Sequence, residues 1–226
     1  MTKEQAIINL DEMITAIEKA RIDLSKHHIV KLIAVSKYST TTDVQTLYEA
    51  GQRAFGENKV QDLKEKSSTL ENLPIEWHFI GTLQKNKINN LIDLNPSLMH
   101  SLDSFDLALE LDKKLKAKDK KMNCLLQINS ANEDTKSGVS VEDAVDIYNQ
   151  IQKECSNINL KGVMSIGAHT ENKDIIKQSF LDTKKIYDIL EQNNGATICS
   201  MGMSSDFELA IACGSNMIRV GSKLFK

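Results

Sequence analysis

Lys37 closes the apolar run Leu32-Ile33-Ala34-Val35-Ser36, and a lysine in that place can serve as an amine nucleophile. If Ile33, Val35 and Lys37 share one face by the two-residue period of a strand, the amine follows two apolar side chains into the mouth of a sheet or barrel. Apolar surroundings disfavour an ammonium and would supply the neutral amine that attacks an aldehyde. Near the other end, Met217-Ile218-Arg219-Val220-Gly221 plants a guanidinium inside an apolar strand, where it requires a partner. Gly221 and Ser222 follow with an approachable backbone and a hydroxyl, while Met201-Gly202-Met203-Ser204-Ser205-Asp206 leads into a helix. Glycine-flanked amides and helix N-termini suit a phosphate. Ser205-Asp206-Phe207-Glu208 also matches a capping box, so Ser205 is expected to cap the helix and Ser204 to meet the ligand.

The elements that must position these groups alternate along the chain. Residues 4–26 place Ile7, Leu10, Ile14, Ile17, Ile22 and Leu24 among charges at helical spacing, which predicts an amphipathic first helix. Eight short apolar runs follow, ending near Val35, Phe55, Ile80, His100, Ile128, Ile166, Cys199 and Val220; the second is the shortest. Stretches of helical period lie between them, among them 43–50, 104–115, 141–151, 175–190 and 207–213. Strict alternation implies parallel strands with crossover helices, and eight of them close most simply into a (β/α)8 barrel, a TIM barrel, with the first helix standing in for a missing eighth. A doubly wound open sheet would produce much the same alternation. Residues 1–226 are expected to form one domain, the helix at 4–26 followed by the barrel at 31–226.

Composition narrows the function. The chain carries 28 Lys+Arg against 31 Asp+Glu, a net charge of -3 without a basic stripe, so neither a nucleic-acid nor a membrane surface is expected. Cys124, Cys155, Cys199 and Cys213 are scattered, with no C-x-x-C pair and no histidine cluster, which excludes a disulfide framework or zinc site as the organising feature. No apolar signal core follows Met1, and no run is long enough to span a bilayer; a cytoplasmic address is expected. In a barrel, the loops after the seventh and eighth strands are the customary phosphate position. An amine opposite a phosphate site leaves two chemistries: a lysine-dependent aldolase acting on phosphorylated sugars, or a protein that holds pyridoxal phosphate.

Five collinear motifs favour the second. Ile33-Ala34-Val35-Ser36-Lys37, Gly51-Gln52-Arg53-Ala54-Phe55-Gly56-Glu57-Asn58, Trp77-His78-Phe79-Ile80-Gly81 with Leu83-Gln84 and Asn86-Lys87, Met201-Gly202-Met203-Ser204 with Asp206, and Ile218-Arg219-Val220-Gly221 together resemble the pyridoxal 5′-phosphate homeostasis protein family. That family shares its barrel with the amino-terminal domain of alanine racemase. The resemblance implies that Lys37 carries pyridoxal 5′-phosphate as a Schiff base, that Ser204, Gly221 and Ser222 contact the phosphate, and that Arg219 faces the pyridine nitrogen. It also implies that Asn58 and His78 line the ring's other side, although a helix cap and a core histidine are the plainer readings of those two. The loop 129–138 is similar to the family's loop after the fifth strand and brings Lys136 to the same rim.

The chain departs from the family pattern in places. The stretch Ser165-Ile166-Gly167-Ala168-His169-Thr170 lacks the usual proline, and Ser222 replaces a common threonine while keeping the hydroxyl. The sequence stops at Phe225-Lys226, where the family usually continues with a glycine and a charged tail. In barrel racemases a second acid/base group comes from an added β domain and a partner subunit; nothing here, including Tyr38, Tyr48, Tyr148 and Tyr187, shows a sign of that role. The resemblance therefore implies a monomeric carrier of the cofactor, delivering to apo-enzymes that depend on it, with a weakly active racemase or lyase as the alternative.

Overall fold

The computed structural model describes residues 1–133 and 136–226. Eight parallel strands, β1 (Lys31–Val35), β2 (Ala54–Glu57), β3 (Glu76–Phe79), β4 (Leu98–Leu102), β5 (Met122–Ile128), β6 (Ile158–Ser165), β7 (Ile198–Ser200) and β8 (Met217–Val220), form a closed barrel in chain order. Closure is made by β8 on β1, with Lys31 beside Met217 and Ile33 beside Arg219. The seam therefore brings the lysine-bearing and the arginine-bearing strands side by side. An open doubly wound sheet is excluded by this pairing.

Helix α1 (Lys3–Leu24) precedes the barrel, and α2 (Thr41–Glu49), α3 (Val60–Thr69), α4 (Ile88–Leu94), α5 (Phe105–Ala117), α6 (Ala144–Glu154), α7 (Lys173–Asn194) and α8 (Phe207–Ala212) connect successive strands. Helix α1 packs against α8 and α2 and covers the seam, so it does stand in for an eighth crossover helix. Its buried stripe differs from the expected one. Ala6, Leu10, Met13 and Ile17 face the core, with Asn9 between them, whereas Ile7, Ile14, Ile22 and Leu24 are exposed. Spacings of four, three and four residues keep the first set on one side at 3.6 residues per turn, and Ile7 and Ile14 fall on the neighbouring side. Asn9 is buried because its amide donates to the carbonyls of Leu224 and Lys226, tying α1 to the segment after β8.

The main apolar core lies between sheet and helices, from Val60 and Leu63 on α3 round to Cys213. A smaller cluster, Ile33, Ala54, Leu98, Leu125, Met164 and Met217, fills the barrel itself. It plugs the axis. A ligand can thus enter only at an end, and the strand C-termini form the end where loops can carry chemistry. No helix among the described residues is long and apolar enough to cross a membrane.

Candidate functional site

Above the plug, the strand C-termini surround an open cavity of about 820 Å³. Lys37, Asn58, Ser204, Arg219, Gly221 and Ser222 line it, above a floor of Val35, Gln127, Met164 and Ile166. Six of the seven sequence-selected site residues thus meet at one place. Lys37, Arg219 and Lys226 line the cavity and, among the described residues, no Asp or Glu side chain does. The site is built for an anion.

Lys37 stands one residue beyond Ser36, at the start of a turn closed by the Ser39 N–H on the Ser36 carbonyl at 2.9 Å. The turn lifts the lysine out of the strand, and its side chain is exposed rather than desolvated between Ile33 and Val35 as the strand period implied. Its Nζ lies 5.0 Å from the ring centre of Tyr38, itself 90% exposed at the rim. What is buried is the peptide behind it. The Ser36 N–H donates to the Gly56 carbonyl, its hydroxyl donates to Glu57 Oε1 at 2.6 Å, and its carbonyl accepts from Lys66 Nζ at 2.6 Å. Lys66 on α3 also bonds Glu57 Oε1 at 2.6 Å, forming a buried ion pair behind β1. Every polar group of Ser36 is satisfied, and the approach to Lys37 is fixed.

Arg219 is 5% exposed and meets neutral acceptors. Nη1 donates to the carbonyl and hydroxyl of Ser200 at 2.9 and 2.7 Å, and Nη2 donates to the Ser165 carbonyl at 2.9 Å. With five N–H donors on a guanidinium, Nε–H and one on Nη2 have no acceptor among the described residues and are left for the cavity. Burial pulls its pKa down to about 10, with the Asp206 carboxylate opposing, so the charge persists at neutral pH.

The loops after β7 and β8 touch where Gly221 N–H donates to Ser204 Oγ at 3.3 Å. The main-chain N–H groups of Ser204, Ser205, Ser222 and Lys223 have no acceptor among the described residues. Gly221 is required here: a Cβ would stand 2.9 Å from the carbonyl oxygen of Val35. Ser205 does not cap α8. Asp206 is the N-cap, without a side-chain cap bond, and its Oδ1 instead accepts from Met203 N–H at 2.6 Å. The Met203 carbonyl accepts from both Asp206 and Phe207, so the turn over Ser204 and Ser205 delays the helix by one residue.

His78 is apart from the cavity. It lies in the barrel core with Nδ1 2.8 Å from His100 Nε2 and Nε2 3.0 Å from Glu76 Oε1. Asn58 does line the cavity and does not cap α3, whose N-cap is Lys59. Lys136 reaches an adjoining pocket that shares Thr82, Gln127 and Ile166, held by Glu133 Oε1 at 2.9 Å and the Gly167 carbonyl at 2.7 Å. Residues 134 and 135 of its loop lie outside the described residues. Sequence reasoning overlooked Glu57, Lys66, Gln127 and His100. Gln127 and His100 gave the signal that revealed Arg219, a polar residue inside an apolar run; the Glu57–Lys66 pair gave none.

The model of the alanine racemase N-terminal domain family matches residues 8–226. A pyridoxal phosphate homeostasis protein of Helicobacter pylori is 55% identical over 217 residues, covering 96% of both chains. The chain belongs to the pyridoxal phosphate homeostasis protein family. A member from Mus musculus is 34% identical over 209 residues, covering 86% of this chain and 76% of its own. Among solved structures, PipY of Synechococcus elongatus with PLP bound superposes at a TM-score of 0.78 with 31% identity, covering 93% of this chain and all of that one. An alanine racemase of Clostridium difficile shares the fold at a TM-score of 0.76 and 17% identity; this chain spans 56% of it.

The residues present fit the family's cofactor. Free amides beside Ser204 and Ser222 suit a phosphate, a guanidinium with unused donors suits a ring nitrogen, and an amine at the rim suits an aldehyde. No group of His, Cys, Asp or Glu that could hold a metal ion occurs among the described residues.

Proposed function

We propose that this cavity binds pyridoxal 5′-phosphate, with Lys37 as its Schiff-base lysine, and that the protein carries and buffers the cofactor in the cytoplasm. The observation that carries this reading is the meeting of Lys37, Arg219 and the two amide-bearing loops around one cavity that, among the described residues, no Asp or Glu side chain lines. When bound, the cofactor supplies an electrophilic aldehyde and an electron-accepting ring. The chain's residues hold it: Ser204, Gly221 and Ser222 at the phosphate, Arg219 at the pyridine nitrogen, Asn58 beside the ring. The names of the relatives and the PLP on PipY support pyridoxal 5′-phosphate as the ligand.

Carriage suits the site better than turnover. The mouth is open, Lys37 is exposed, and Lys37 is the obvious proton carrier beside the cavity; efficient racemisation needs a second one opposite. Arg219, charged at neutral pH, donates to the ring nitrogen and disfavours a proton there, which weakens the ring as an electron sink. Four unpaired, buried cysteines fit a reducing compartment. The recipients we assign are apo-enzymes that use this cofactor, served by a monomer. The test is the visible spectrum of protein purified from cells, followed by borohydride reduction, peptide mass spectrometry and transfer to an apo-enzyme. A pyridoxyl phosphate mass on the Lys37 peptide is expected. Colourless protein that takes up no cofactor, or rapid turnover of amino acids, would overturn the reading.

A further inference from the structure

A continuous line of polar side chains crosses the barrel core from the cavity to the opposite mouth. It starts at Arg219, whose Nη1 donates to Ser200 Oγ at 2.7 Å, and continues from Ser200 Oγ to His100 Nδ1 at 3.3 Å. It passes from His100 Nε2 to His78 Nδ1 at 2.8 Å and from His78 Nε2 to Glu76 Oε1 at 3.0 Å. Glu76 is the first residue of β3, at the strand N-termini, where Lys31 at the start of β1 bonds the same oxygen at 2.5 Å. Ser200, His78 and His100 are buried to within 1%. Most buried polar groups are hydrogen-bonded, and here each is bonded to the next.

With both rings neutral, the Glu76 end dictates the direction of every proton. Arg219 can only donate, and an ionised Glu76 can only accept. Ser200 therefore accepts from Arg219 and turns its own hydrogen to His100 Nδ1; His100 Nε2–H donates to His78 Nδ1; His78 Nε2–H donates to Glu76. Both histidines are neutral and share the Nε2–H tautomer. Burial supports this by holding both rings below their ordinary value, and the His78 hydrogen bond, helped by Lys31, keeps Glu76 ionised, down to about 2. Reversing one link would oppose two donors or two acceptors at another, so the line is set as a unit.

We infer that Glu76, from the far mouth of the barrel, positions the Arg219 guanidinium through His78, His100 and Ser200. Among the described residues no carboxylate is in hydrogen-bond contact with Arg219; its other acceptors are main-chain carbonyls of Ser200 and Ser165. The Ser200 hydroxyl, aligned from below, is the side chain that sets which N–H groups remain for the cavity. Glu76, His78, His100 and Ser200 are positioning residues for a ligand none of them touches. The part of this inference that concerns the cofactor rests on the function proposed above.

The test uses the whole chain. Histidine ¹⁵N–¹H correlation spectra of the cofactor-free protein report tautomers directly, and both His78 and His100 should show protonated Nε2 and bare Nδ1. Glu76 is only half-buried, so Glu76→Leu should fold; it removes the terminal acceptor, and both rings should shift toward mixed tautomers while the Arg219 side-chain N–H signals move. Glu76→Gln keeps an acceptor oxygen and should restore them, and Lys31→Ala, which leaves the line intact, should change little. In protein loaded with pyridoxal 5′-phosphate, Glu76→Leu should raise the release rate roughly two- to thirty-fold and move the absorption band, with Glu76→Gln near the parent. Nδ1–H tautomers, or an Arg219 signal indifferent to Glu76→Leu, would overturn the relay even if the colour and the Lys37 adduct are normal. A parent protein that binds no cofactor would overturn the proposed function, and the cofactor-free spectra would still decide the relay.

Discussion

Lys66 Nζ lies 2.6 Å from the carbonyl oxygen of Ser36 and so holds the peptide that leads into Lys37. The same ammonium neutralises Glu57, whose side chain is wholly buried and whose Oε2 has no hydrogen-bond partner among the described residues. Removing the cation leaves a buried carboxylate uncompensated. Lys66→Met should therefore cost about 3–5 kcal/mol of stability, read as a lower urea midpoint at unchanged slope. The paired variant Glu57→Gln/Lys66→Met should recover much of the loss, because no charge is then stranded. A single variant as stable as the parent would show that the pair is not closed in solution.

Lys37 itself supports little of the fold. Its side chain is exposed, and substitutions at such positions shift stability by about 0.5 kcal/mol or less. Lys37→Ala should therefore melt with the cofactor-free parent and lose the colour. Reduction of the parent with borohydride should mark the Lys37 peptide. A mark on Lys136 instead would move the Schiff base to the neighbouring pocket, where Lys136 is held by Glu133 and Gly167.

The architecture was legible because strand and helix periods alternate without interruption, and Arg219 was legible because a guanidinium stands out in an apolar strand. The reading failed where neighbours decide. The buried face of α1 runs through Ala6 and Met13 rather than Ile7 and Ile14, since contact with α2 and α8 selects among similar apolar stripes. Ser205 looked like a cap, but Asp206 closes the turn onto Met203 and takes the cap position. His78 sits in a motif beside cavity residues, yet the strand period turns it into the core, where His100, distant in sequence, completes its hydrogen bond. Lys37 was placed on the strand face, and the turn after Ser36 carries it to the rim.

Ser204 joins the two loops through its hydroxyl and Gly221 N–H. If the phosphate is held there, Ser204→Ala should weaken cofactor retention by roughly 1.5–3 kcal/mol, the value of a charge-assisted hydrogen bond. Equilibrium dialysis with pyridoxal 5′-phosphate measures this. Pyridoxal without its phosphate should bind far more weakly to the parent and be indifferent to the substitution. Equal affinity for the two forms would place the phosphate elsewhere.

Arg219 separates two roles that its position allows. Lysine would keep a charge but not the planar fork that donates to Ser200 and Ser165 at once. If Arg219 faces the pyridine nitrogen, Arg219→Lys should alter the absorption spectrum of the loaded protein, and Arg219→Glu should favour a proton on that nitrogen and raise trace reactivity toward amino acids. If it only clamps phosphate, Arg219→Lys should retain most binding with the spectrum unmoved. Circular dichroism of each variant establishes that the buried substitution still folds.

Acid should destabilise the protein from an unusually high pH. His78 and His100 are buried as neutral rings, and burial lowers both pKa values from 6.5, that of His100 well below it, despite the pull of Glu76 on His78. In the unfolded chain each ring protonates near its ordinary value. As pH falls below 6.5 the unfolded state binds protons that the folded state refuses, so stability drops, and it continues to drop until pH reaches the lowered folded values. Each ring adds a slope of up to about 1.4 kcal/mol per pH unit. Glu76 acts later. Its carboxyl is held down to about 2 by the His78 hydrogen bond and by Lys31, so the stability it contributes is complete above its ordinary value of 4.5 and is lost between there and about 2. Urea titrations across this range should give a plateau above about pH 7, a first decline that belongs to the histidines and a further one that belongs to carboxylates. His100→Asn should flatten the first decline by about half, since one titrating ring is removed while a polar side chain remains for Ser200 and His78. A plateau that extends unchanged down to about pH 5 would mean that the rings take up protons inside the folded barrel, which neither the neutral tautomers nor their burial permits.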